Sequence, residues 1–119
     1  MKLTQTILVL DAADLDAVSS FWATLLSGTV QTSDDWHQIT VDGQPRLAIQ
    51  LAPDHVQPQW PGGVPQQMHL DLYVEDIAAA HEEAVGIGAR LLQAAEDLSA
   101  TSGFQVYADP AGHPFCLCW

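Results

Sequence analysis

The sequence predicts an α+β fold assembled from two like β-α-β-β-β modules, and three observations predict it. Residues 7–15 read ILVLDAADL and residues 69–77 read HLDLYVEDI, the same alternation closed by an Asp and an apolar residue, 62 positions apart. The helical stripe that follows also repeats, with Leu15, Val18, Trp22 and Leu25 standing opposite Ile77, Ala80, Ala84 and Ile87. Between the copies, residues 53–65 hold four prolines and two glycines, which no regular element tolerates. Two long copies are too few for a solenoid, so a single domain over residues 1–119 is expected. Module one spans about residues 1–53, a linker about 54–65 and module two about 66–119, with any site in the cleft they share.

Each element has a local reason. Residues 3–11 alternate as a half-buried strand, with Leu8 and Leu10 on one face and Gln5, Ile7, Val9 and Asp11 on the other. Asp14 suits an N-cap, and apolar residues at helical spacing carry a helix over 15–26 until Ser27-Gly28 ends it. Strands follow around 29–32, 36–41 and 46–51, with turn chemistry at Asp34-Asp35 and Asp42-Gly43. The cycle restarts with a strand over 68–74 and a helix capped by Asp76 that runs to about Ile87, before Gly88. Strands near 89–94, 104–108 and 114–119 complete the second copy, around a polar loop at 95–103.

Composition excludes several classes of function. The chain carries a net charge of −12, and its three cations, Lys2, Arg46 and Arg90, are scattered. Nothing there could release counterions from a phosphate backbone or an anionic membrane, so neither nucleic acid nor membrane is an expected partner. The charge itself reads as acidic solubilisation. No apolar run approaches a bilayer's thickness, and Met1-Lys2-Leu3-Thr4 leads straight into a strand pattern without a signal-peptide core, so a cytoplasmic location is expected. Cys116 and Cys118 lie two apart on one strand, where disulfide geometry is poor, and read as free thiols in a reducing compartment.

The first strand of each copy has one leucine face, Leu8 and Leu10 in one and Leu70 and Leu72 in the other, suited to a helix. The opposite face is mixed: Ile7, Val9 and Asp11, then His69, Asp71 and Tyr73. Such a face suits a concave, ligand-lined sheet.

With these elements in place, the chain resembles the vicinal oxygen chelate superfamily of glyoxalase I, bleomycin-resistance proteins and extradiol dioxygenases. It is most similar to the small bacterial glyoxalase-like domain proteins. The resemblance rests on Asp14 with Phe21-Trp22, on Asp76, on Ile87-Gly88-Ala89, and on the closing run from Tyr107 through Asp109-Pro110-Ala111-Gly112 to Phe115. It implies a curved eight-stranded mixed sheet around a cavity, with helices on the outer face. It also implies four metal ligands, two from each module. Carried over by position, these fall on Ile7, on His69, on Ala48 or Gln50, and on Cys116. Only His69 is an orthodox ligand, whereas zinc wants three or four N or S donors and harder cations want several carboxylates. No cofactor is therefore expected, with a divalent metal held by His69, Gln50 and Cys116 as the alternative.

His69 and Asp71 are the catalytic candidates, an imidazole oriented by a carboxylate, against the plainer reading of a self-satisfied polar pair. Expected around a ligand are His69, Asp71, Tyr73, Gln50, Trp36, Trp60 and Cys116. Trp119 is a further aromatic wall, and Trp22 belongs to the core. Trp60, in the proline-rich linker, either pins that linker or lids a pocket. Cys116 and Cys118 read as small hydrophobes or as reactive thiols. His37, His55, His81 and His113 lack ligand spacing and are expected at the surface or in turns. The favoured function is binding of a small organic molecule between the modules without the family's full metal site. The alternatives are a metal-dependent lyase, isomerase or dioxygenase, and a non-catalytic structural or regulatory module. A homodimer is expected, since two-fold pairs are the commonest soluble assembly.

Overall fold

A computed structural model describes residues 7–64 and 70–119 of the chain. Of the strands expected over 3–11 and 68–74, residues 3–6 and 68–69 lie outside the described residues. The chain forms two compact units, Met1–His55 and Val56–Trp119. Among the described residues each holds one helix and one four-stranded mixed sheet.

The first unit runs β1 (Leu8–Ala12), α1 (Leu15–Leu25), β2 (Thr29–Thr32), β3 (Trp36–Val41) and β4 (Gln44–Leu51). Its strand order is β1-β4-β3-β2, with β1 parallel to β4 and the other pairs antiparallel. Asp14 caps α1 as its sequence position suggested: its Oδ1 accepts from the Ala17 backbone N–H at 3.0 Å. The helix ends with Ser27, not Gly28, in the left-handed region, at φ 55°. Asp42 and Gly43 both take positive φ, 50° and 73°, which gives the β3–β4 hairpin the twist its strands require.

Leu10, Leu47, Ile39 and Ile49 are buried together with Val18, Phe21 and Trp22 of α1. Leu10 pairs with Ile49 and Leu8 with Leu47, so the leucine face of β1 continues across the sheet. His37 corrects the expectation of a surface histidine. It shares the face of Ile39, lies buried, and its Nδ1 sits 2.8 Å from Ser19 Oγ on α1. The physical reason is the two-residue strand period: His37 points where Ile39 points and is satisfied there by the helix hydroxyl.

The second unit repeats the order with β5 (Asp71–Tyr73), α2 (Ile77–Gly86), β6 (Arg90–Gln93), β7 (Phe104–Ala108) and β8 (Pro114–Cys118). Strands stand in the order β5-β8-β7-β6, and β5 is parallel to β8. Asp76 repeats the cap of Asp14, accepting from Ala79 N–H at 3.0 Å. The core here is aromatic: Tyr107 and Phe115 are fully buried and stack at 5.6 Å between ring centroids. His81 of α2 and Gln105 of β7 satisfy the Tyr107 hydroxyl, at 2.9 and 2.8 Å. His113, expected at the surface or in a turn, closes the turn that begins at Asp109. It is buried, and its Nδ1 lies 2.7 Å from Asp109 Oδ2. Among the described residues no helix is long and apolar enough to cross a membrane.

Candidate ligand-binding site

Alternation along β7 and β8 divides the second sheet into two chemically distinct faces. Gln105, Tyr107, Phe115 and Leu117 are register partners on the buried side. Phe104 and Cys118 pair on the other side, as do Val106 and Cys116. β5 extends the pattern, with Tyr73 beside Cys118 and Leu72 beside Leu117. The face carrying Tyr73, Phe104, Cys116 and Cys118 is therefore opposite the Tyr107–Phe115 stack, with Val106 and Cys118 buried on it and Tyr73 and Phe104 exposed.

On that face lies a groove of about 470 Å³, lined by Tyr73, Phe104, Cys116, Cys118 and Trp119 with Ser102 and Gly103 at its rim. Tyr73 is 80% exposed and Phe104 49% exposed, an unusual display for large aromatics. The rim is built by a short hydrogen-bonded ladder. Asp97 Oδ1 accepts from the backbone N–H and hydroxyl of Ser99, at 2.9 and 2.6 Å, and those bonds hold its carboxyl below the usual carboxylate range. The Trp119 indole N–H donates to Ala100 C=O at 3.0 Å. Trp119 and Gly103 also exchange backbone bonds of 2.9 and 3.0 Å. Trp119 is thereby fixed as an aromatic wall. Such a groove can hold a flat or apolar body between aromatic rings, with two thiols on its floor.

Of the residues singled out in the sequence, the structure brings Tyr73, Cys116, Cys118 and Trp119 into this groove. Asp71 pairs in register with Cys116 on the adjoining strand. His69 lies outside the described residues. Gln50 and Trp36 belong to the first unit, where they are register partners on β4 and β3, and Asp11 pairs with Gln50 from β1. Trp60 lines a different groove, with Arg90. Sequence reasoning missed Phe104, although alternation against Tyr107 would have placed it on the open face.

The described donors do not fit a hard divalent cation that seeks several oxygen ligands. Among the described residues no three His, Cys, Asp or Glu side chains converge. Thiols at Cys116 and Cys118 are also soft donors, poorly matched to an oxygen-seeking metal.

The glyoxalase-like domain family model matches residues 7–118, nearly the whole chain. The chain belongs to the glyoxalase-like domain family. With it comes membership of the vicinal oxygen chelate superfamily, whose fold the two β-α-β-β-β units display. Solved structures agree on that fold. A fosfomycin resistance protein from Listeria monocytogenes is similar at a TM-score of 0.74 and 14% identity, over 99% of this chain and 91% of that one. A glyoxalase-related enzyme from Fulvimarina pelagi is similar at 0.71 and 22% identity, over 98% and 88%. A glyoxalase/bleomycin resistance protein/dioxygenase family enzyme from Burkholderia phytofirmans PsJN is similar at 0.71 and 14%, over 94% of each chain. A search of curated proteins gave no match. At these identities the likeness speaks to the fold of this glyoxalase-like chain and leaves its chemistry to its own residues.

Proposed function

We propose that this glyoxalase-like protein binds a small organic molecule on the Tyr73 face of its second module. The observation that carries this reading is the groove itself, where two exposed aromatic rings and the pinned Trp119 surround about 470 Å³. That volume lies within the range of about 300–1,000 Å³ of small-molecule sites. The sequence alternation that assigns His69 and Asp71 to the face of Tyr73 makes them the polar anchors in this reading. Binding of this kind needs no metal, only apolar walls and a few oriented polar groups.

A nuclear magnetic resonance titration with neutral aromatic fragments tests it. Saturable shifts at Tyr73, Phe104 and Trp119, weakened at least fivefold by Tyr73→Ala, support the groove. Fragments that bind without moving those signals refute it.

An enzymatic reading is favoured by the names of two structural neighbours, a glyoxalase/bleomycin resistance protein/dioxygenase family enzyme and a glyoxalase-related enzyme. Metal analysis of protein purified without chelators separates the two. Stoichiometric metal favours a lyase, isomerase or dioxygenase, and its absence favours simple binding. The homodimer belongs to the same reading, and sedimentation showing only a 12.9 kDa species would remove it.

A further inference from the structure

The second unit carries another groove, of about 320 Å³, that shares no lining residue with the Tyr73 groove. Trp60, Leu92 and Pro58 give it an apolar lining, Gln57 and Gln59 supply amides, and Arg90 supplies a guanidinium. We propose that this is a second binding site, for a small organic anion bearing one carboxylate on an apolar or aromatic body.

Charge placement is the first argument. Arg90 is the one Lys or Arg in residues 56–119, a stretch with eight Asp and Glu. In such surroundings a carboxylate partner would be easy to find, yet among the described residues Arg90 forms no ion pair. Arg90 instead lines a groove together with Trp60, Gln57 and Gln59. That is the chemistry that recognises a carboxylate and stacks a flat body beside it.

The second argument is that the groove is built on a fixed turn. Asp109 Oδ1 accepts from the backbone N–H of Ala111 at 2.9 Å and of His113 at 2.8 Å, while Oδ2 meets His113 Nδ1. These bonds hold the turn in which Gly112 stands at φ +89° against Gln57. A Cβ on Gly112 would come within 3.0 Å of the Gln57 Cβ, so glycine is what lets the wall close. Gln57 Nε2 also donates to Pro110 C=O at 3.4 Å. A pre-formed wall lowers the ordering cost of binding.

One guanidinium in a chain of net charge −12 fits a singly charged ligand better than a phosphate, because each further negative charge meets the repulsion of the whole molecule. The volume suits a compact acid near the lower end of small-molecule sites.

The test is a titration of the full ¹⁵N-labelled chain with benzoate, its neutral analogue benzamide and phenyl phosphate, read at the Trp60 indole and the Arg90 side chain. Benzoate is expected to shift both saturably, with benzamide at least tenfold weaker. Arg90→Gln, an exposed strand position, should keep the fold by circular dichroism and bring benzoate down to the benzamide level. Equal binding of benzoate and benzamide, unchanged binding by the Arg90→Gln protein, or no saturable shift at Trp60 would overturn the site. Phenyl phosphate binding more tightly than benzoate would overturn the assignment to a single carboxylate. Shifts confined to Tyr73 and Trp119 would place the acid in the other groove and likewise overturn the proposal.

Discussion

The indole of Trp119 lies over Gly103 so closely that a Cβ added to Gly103 would stand 2.6 Å from Cζ2 of that ring. The two residues are also tied by a pair of backbone hydrogen bonds, and the indole N–H is held by Ala100. The wall of the aromatic groove therefore depends on a residue that has no side chain.

Gly103→Ala is expected to push the ring off its seat and to cost about 1–3 kcal/mol, the usual price of overpacking. Urea denaturation gives the stability. The Trp119 indole N–H resonance reports the ring, and an unchanged resonance would contradict the close approach.

Tyr107 offers a prediction in pH. Burial raises its hydroxyl pKa above the ordinary 10.0, partly opposed by the hydrogen bond from Gln105. The folded state thus keeps a proton that the unfolded chain releases. Its stabilisation is full below about pH 10 and is lost as pH rises above that value. Tyr107→Phe should remove this component of the alkaline decline. At neutral pH it should cost about 1–3 kcal/mol, because Gln105 and His81 lose their buried partner. Thermal melts across pH 8–11 check both effects, and parallel curves for the two proteins would contradict the first.

The two thiols should differ in reactivity. Cys116 is half-buried in the groove while Cys118 is only 7% exposed. Iodoacetamide is therefore expected to label Cys116 several-fold faster in the native protein, and both equally in urea, as peptide mass spectrometry would show. A ligand of the aromatic groove should slow the labelling of Cys116.

Asp14→Ala and Asp76→Ala should each cost about 1 kcal/mol, since each removes the acceptor of one orphan N–H at a helix start. Asparagine at the same positions should restore most of the loss. Denaturant midpoints measured for all four variants make the comparison, and a loss common to Ala and Asn would implicate charge instead of capping.

Much of the fold was legible because its signals are local. Both caps, the Asp42-Gly43 hairpin and the β3 and β7 spans follow from residue chemistry within a few positions. His37 shows where such reading stopped. Its face was implied by Ile39 two residues on, but its burial depends on Ser19, 18 residues earlier on a helix. The same holds for His113, whose partner Asp109 lies within the turn but whose burial comes from the unit around it.

For the candidate sites, alternation put Tyr73 opposite the leucine face of its own strand, while the resemblance singled out Cys116 and the β5–β8 register set the two on one face. Sequence placed Tyr73 on a strand face and Trp60 in the proline-rich linker, as a pin or a lid, without saying which segment Trp60 meets. Only the folded chain carries Trp60 to Arg90, 30 residues away, and seats Trp119 on Gly103. The sequence by itself determined the repeat, the caps and the strand faces, which arise from steric and hydrogen-bonding preferences between near neighbours. Which of those faces became a groove was decided by tertiary structure, because burial depends on what distant segments cover and what they leave open.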